Sequence, residues 1–225
     1  MDDYVKNYHV LYTHYRQPMG GDPLPLLEPE HHILYLDMCW QGKQGLQFTL
    51  AELAFRMRVS VRTLVERIDR LGDVELISFP YGPRYSEERP DDPIAMPRQP
   101  EGGDAGQEFD KDYDVLHEFY RHSFGGREAL LTPLRHMLYL DLQTVAATGT
   151  PATLDEIRKT YGQKLSRKEV VRWLAHLKAV DLLECGDPGR ASFTEPFEFR
   201  VRIPYTEEEL RGGKREELTR RAGRA

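Results

Sequence analysis

The feature that most constrains how this chain can fold is a segment that occurs twice. The first copy runs Y-H-V-L-Y-T-H-Y-R from Tyr8 to Arg16. It continues through L-L-E-P-E-H-H-I-L-Y-L-D at Leu26 to Asp37 and reaches F-T-L-A-E-L at Phe48 to Leu53. The second runs Y-D-V-L-H-E-F-Y-R from Tyr113 to Arg121, then L-L-T-P-L-R-H-M-L-Y-L-D at Leu130 to Asp141, then A-T-L-D-E-I at Ala152 to Ile157. Corresponding residues lie about 105 positions apart throughout. Such a period is too long for a solenoid unit and right for one small domain. The 225 residues are therefore expected to form two domains of one design, residues 1–97 and 113–205. A linker at 98–112 joins them, and a charged tail follows at 206–225.

Within each copy the pattern is helical. Tyr8, Leu11, Tyr12 and Tyr15 have the i, i+3, i+4, i+7 spacing of an amphipathic helix. Gly20-Gly21 and three prolines break it, and residues 1–7 are expected to be loose. A second helix runs from about Pro29, apt for a first turn, to Trp40, with the glycines of Q-G-K-Q-G ending it. T-L-A-E at Thr49 and T-L-D-E at Thr153 are capping boxes, in which the threonine caps the helix and the glutamate reaches back. They open short helices, Leu50 to Met57 and Leu154 to Tyr161. After a turn, Ser60 and Ser166 start longer helices, Val61 to Leu71 and Arg167 to Lys178, each with one apolar face. A β-like run follows in each copy, V-E-L-I-S-F and V-D-L-L-E-C. A return strand is clear only in copy two, from Phe197 to Ile203, and is placed around Ile94 to Met96 in copy one. The order helix, helix, short helix, turn, helix, hairpin predicts a mainly α fold with small β-hairpin wings, two tandem winged helix-turn-helix domains. The tail, rich in Glu, Lys and Arg, is expected to be a solvated helix or disordered.

Composition excludes several classes. No apolar run approaches the ~20 residues of a membrane span, and the N-terminus has no signal-peptide pattern, so the chain is expected in the cytoplasm. Cys39 and Cys185 fall at non-equivalent places and lack metal-ligand spacing. His31-His32 is no metal pair, because adjacent residues point to different faces of a helix. No cofactor-binding or catalytic motif is present, whether a Gly-rich phosphate loop, H-E-x-x-H or G-x-S-x-G. We therefore expect no enzyme and no cofactor. Net charge is −6, but unevenly spread. Residues 1–112 hold 12 Lys+Arg against 20 Asp+Glu, a net of −8, whereas residues 113–225 hold 19 against 17, a net of +2.

Copy one resembles the N-terminal winged-helix domain of DnaD-like replication initiation proteins. The matching features are F-T-x-x-E-L, the V-S before the second helix of the helix-turn-helix, and an L-I closing run. Two such domains in tandem also resemble two-winged-helix plasmid Rep initiators. The resemblance implies the fold and a role in replication initiation. The chain departs from DnaD proteins in lacking their C-terminal domain with its Y-x-x-x-I-x-x-W signature, and from Rep initiators in its acidic first half.

A helix-turn-helix reads double-stranded DNA with exposed side chains of its second helix in the major groove. In copy one these are Arg62, Thr63, Arg67 and Arg70, beside the acidic Glu66, with Arg56 and Arg58 ahead of the turn. In copy two they are Arg167, Lys168, Arg172 and His176, with Lys164 in the turn. Arginine bonds guanine bidentately, and either basic residue neutralises phosphate. Ser60 and Ser166 sit at helix N-termini suited to a phosphate, and Arg84 and Arg190 fall in the wings. Trp173 occupies the place of Arg67, where it would contact a partner or DNA or fold back on the wing. Copy two, whose second helix has no Asp and only Glu169, is expected to be the principal reader. His32/His136, Tyr35/Tyr139 and Asp37/Asp141 recur and are assigned to the shared fold. The expectation is a double-stranded DNA-binding protein of replication initiation or transcriptional regulation, its domains a pseudo-dimer on half-sites ~10 bp apart. The alternative is a non-enzymatic scaffold binding protein partners, or itself through domain 1, which the acidic first half favours.

Overall fold

The structure, a computed structural model, describes residues 8, 11–16, 25–77, 85–94, 97, 110–122, 129–149, 152–161 and 165–223. Residues 1–7, most of the linker, Arg84 and Lys164 lie outside these. The chain divides into two compact units, Met1–Asp110 and Lys111–Ala225. It is mainly helical, and its described strands form one two-stranded antiparallel sheet.

The first unit opens with a π-helical turn, Leu11–Tyr15. Helix α1 (Pro29–Lys43) has Pro at its start and continues past Trp40 through Gly42. Helix α2 (Leu50–Met57) begins at the Thr49 cap: the Glu52 amide donates to Thr49 Oγ1 at 3.2 Å, and the Thr49 amide donates to the Glu52 carboxylate at 2.8 Å. Arg58 ends it in the left-handed region, φ 56°. Ser60 caps helix α3 (Val61–Asp73), accepting from the Thr63 amide at 3.1 Å. Leu64, Ile68 and Leu71 of α3 and Leu50, Leu53 and Met57 of α2 are buried, as the apolar stripe requires. Much of the expected hairpin, residues 78–84 and 95–96, lies outside the described residues; among the described ones it is marked by two isolated bridges, Thr49 with Pro93 and Ile77 with Pro97. Prolines have no amide hydrogen to extend a ladder. The Ile94 amide still reaches the Phe48 carbonyl, holding the return segment against the start of α2.

The second unit starts with α4 (Asp110–Val115), so the last residues assigned to the linker are helical, and passes into a π-helical turn, Leu116–Tyr120. Then come α5 (Pro133–Thr148), α6 (Leu154–Thr160) and α7 (Arg167–Ala179). Capping boxes at Thr153 and Ser166 open α6 and α7. Strands β1 (Leu183–Cys185) and β2 (Phe199–Val201) pair antiparallel, Leu183 opposite Val201 and Cys185 opposite Phe199. The hairpin tip folds back on the start of α6, where the Phe197 amide donates to the Ala152 carbonyl and Thr153 bridges Pro196.

The tail, expected to be a solvated helix or disordered, is helical, and one edge of it is packed rather than solvated. It forms α8 (Glu207–Glu209), a π-helical turn (Leu210–Lys214) and α9 (Arg215–Ala222), capped by Thr206 with Glu209. Leu210 and Leu218 are buried. Arg215, itself buried, donates to the carbonyls of Phe119 and His122, groups left open at the end of the π-helical turn. Arg221 grips Asp181 with both guanidinium nitrogens at 2.6 and 2.7 Å. Two leucines eight residues apart give a charged helix one apolar edge, and that edge is packed.

The recurring residues occupy matching interiors. Tyr8 lies against His32 and Tyr113 against His136, each with ring centroids 4.8 Å apart. Tyr35 and Tyr139 are fully buried, and Asp37 and Asp141 nearly so. These residues belong to the cores of their units.

Candidate nucleic-acid interface

In the second unit, α7 projects Arg167, Lys168 and Arg172, all exposed. The one acid on that helix, Glu169, faces its own N-terminus. Its carboxylate accepts from the Ser166 amide at 2.9 Å and hydroxyl at 2.7 Å, and these bonds hold its pKa below the usual carboxylate range. Arg172 is only grazed by it, at 4.0 Å. Arg167 lies over the Phe193 ring at 4.8 Å, which ties the start of α7 to the folded-back hairpin tip. Arg190 is 90% exposed and 3.4 Å from Asp187, a pair too solvated to hold the side chain firmly.

The first unit presents the corresponding helix differently. Arg62 on α3 pairs with Glu66 at 3.2 Å, so a carboxylate sits beside its guanidinium. Thr63 is half-buried, and its hydroxyl lies 2.9 Å from that of Ser60. Burial depresses the pKa of Arg67, which faces Glu30 and Glu28. Arg56 covers the Phe48 ring at 4.1 Å, and Arg58 is exposed in its left-handed turn.

Two candidates have structural work. Arg70 donates through Nε to the Leu26 carbonyl at 2.9 Å, and His176 donates to the Leu130 carbonyl at 2.6 Å. Both tie the far half of the second helix to the segment ahead of α1 or α5. Burial lowers the His176 pKa, favouring the neutral ring. Ser60 and Ser166 likewise have their hydroxyls engaged as caps.

Trp173, left open between partner and wing, turns to neither. Its ring meets Tyr161 edge-on at 5.6 Å, and the Tyr161 hydroxyl donates to Asp141 at 2.6 Å. The aromatic pair lies between the end of α6 and α7 in the second unit, where the first has the buried Met57. His31 also has a local task, its Nδ1 accepting the Glu28 amide at 3.1 Å in the cap of α1. Burial pushes its pKa down to about 4.

Among the described residues, no group of three or more His, Cys, Asp or Glu is arranged to hold a metal, and no helix is long and apolar enough to cross a membrane. No protein-family model, curated protein or solved structure matches the chain.

Proposed function

We propose that this chain is a double-stranded DNA-binding protein of two tandem winged helices, descended from a duplication, and that its second unit is the main reader. Its role would be replication initiation or transcriptional regulation. The observation that carries this reading is the face of α7, where Arg167, Lys168 and Arg172 are exposed and the only acid is turned into the Ser166 cap. Arg167 and Lys168 lie in the first turn, the part of a recognition helix that reaches base edges. Arg172, a turn further, is suited to phosphate or guanine. Arg190 at the hairpin adds a flanking phosphate contact.

A titration of mixed-sequence and genomic duplexes at 50 and 200 mM salt tests the reading. With about four phosphates neutralised, that rise in salt should weaken binding roughly a hundredfold. A short selected site should compete far better than random duplex. Binding indifferent to salt, or absent, would remove DNA from the account. The alternative, a scaffold for protein partners, is favoured by one observation, the carboxylate-bearing face of α3, and it concerns the first unit alone.

A further inference from the structure

The hairpin of the second unit lies along α7 and is fastened to it at three places. At the last turn, Lys178 donates to the carbonyls of Cys185 and Gly186, at 2.8 and 2.9 Å. Near the middle, Pro188 at the tip is buried, and a Cβ on the next residue, Gly189, would meet Val171 Cγ1 at 3.9 Å. At the first turn, Arg167 lies over the Phe193 ring, and the Phe193 carbonyl accepts from the Asp155 amide at 3.0 Å. Arg167 and Lys178 are about 16 Å apart along the helix, so the strap runs nearly its whole length.

The tip is itself a tight turn. Asp187 Oδ1 accepts from the Gly189 amide at 2.9 Å, and the Asp187 carbonyl accepts from the Arg190 amide at 3.0 Å. Neighbouring Cα atoms are about 3.8 Å apart, so the contact of Gly189 with Val171 puts the Arg190 backbone beside residues 168–172 of α7. The Arg190 side chain stays 90% exposed. The Lys178 bonds are charge-assisted and act where the β1–β2 ladder ends, at the pair of Cys185 with Phe199. At the positions of Lys178 and Arg167 the first unit has Gly72 and Val61, which can make neither contact.

We propose that Lys178 is a positioning residue for duplex binding. By strapping the hairpin along α7 it presents Arg190 to the same stretch of phosphate backbone as Lys168 and Arg172. This rests on the DNA-binding reading of the second unit and adds how the cation of the hairpin is delivered. An Arg190 already in place loses less freedom on binding than one on a swinging tip. Lys178, with its ammonium engaged on two carbonyls, takes no phosphate of its own.

The test compares wild type, Lys178→Met, Arg190→Ala and the double variant as full chains, titrated with one duplex at fixed salt. Methionine keeps an aliphatic stem and removes the charged donor. Arg190→Ala should weaken binding about fivefold, the loss of one phosphate contact, and Lys178→Met about threefold. The double variant should bind as Arg190→Ala alone, because the lysine acts through the arginine. The second readout is trypsin cleavage after Arg190 in the free protein, followed by mass, with circular dichroism confirming that the variants are folded. It should be roughly fivefold faster in Lys178→Met, whose tip opens more often. An unchanged cleavage rate overturns the strap. Equal losses from Lys178→Met with and without Arg190 overturn the positioning role and make Lys178 a phosphate contact or a general support of the fold. A wild-type chain that binds no duplex overturns the DNA reading and the role given to Lys178 with it. Wild-type binding with no loss in Lys178→Met overturns this inference alone.

Discussion

Arg70 and His176 stand at the same place in the two units and do the same thing with different chemistry. Each reaches back more than forty residues to a carbonyl, Leu26 in one case and Leu130 in the other. Around these anchors the units share a plan: a tyrosine on a buried histidine, a threonine–glutamate box opening the first helix of the pair, a serine opening the second. They diverge at the surface. The second unit shows exposed basic side chains on α7 and wears the tail. The first pairs its foremost arginine with Glu66. A helix surface can change in this way while its buried stripe is kept.

Each unit holds one tryptophan, Trp40 in the first and Trp173 in the second, so single-tryptophan variants can follow each unit's unfolding separately. The largest expected effect is Leu218→Ala. Truncating this fully buried side chain should destabilise the second unit by about 2–5 kcal/mol and leave the Trp40 transition in place. An unchanged Trp173 transition would show the tail to be a loose appendage and remove it from the comparison of the units.

Acid should separate the units in the opposite sense. The folded first unit keeps His31 neutral, with its pKa lowered by burial from 6.5 to about 4, and burial beside Arg16 holds His32 well below 6.5. Around His31, Glu28 opposes the shift while Arg67 and Arg70 reinforce it. The unfolded chain takes up these protons near pH 6.5 and the folded one does not. The stability is therefore fully present above about pH 6.5 and lost as pH falls through about 4. For His31 alone this loss is about 3 kcal/mol. Urea midpoints read by Trp40 should fall between pH 6.5 and 4, and His31→Gln should flatten that fall. A midpoint constant across this range would contradict the assignment.

The smallest effect tests what the units share. Thr49→Ala and Thr153→Ala each remove an equivalent cap and should each cost about 1 kcal/mol, in the unit that carries it. Unequal costs would show that the boxes, alike in geometry, differ in context.

Much of this plan was legible in the sequence. The T-x-x-E and S-x-x-E boxes and the apolar stripes marked α2, α3, α6 and α7 within a residue or two, because caps and periodicity are local. The tail's helix was one of two expectations, but its packed edge is hidden by a composition dominated by Glu, Lys and Arg. The signal was there, in the T-E-E-E cap at Thr206 and the spacing of Leu210 and Leu218, but what those leucines pack on is set by residues far back in the chain. Among the described residues of the first unit, the return segment meets its neighbours at two prolines, Pro93 and Pro97, which cannot donate a ladder hydrogen bond, and the sequence reads as a return segment without showing this. Of the candidate interface, exposure of Arg167, Lys168 and Arg172 followed from the helical period. The engagement of Arg70 and His176 with distant carbonyls did not, since no local pattern encodes it.

On the proposed function, DNA is read by α7 and not by α3. The measurement that tests it most directly compares two double variants, Arg167→Ala with Arg172→Ala and Arg62→Ala with Arg67→Ala, in duplex binding at fixed salt, with circular dichroism confirming that both remain folded. The account predicts at least a roughly thirtyfold loss for the α7 pair, two contacts at roughly 1–3 kcal/mol each, and less than about threefold for the α3 pair, in line with an exposed ion pair of small worth. Equal losses, or a loss confined to the α3 pair, would contradict it.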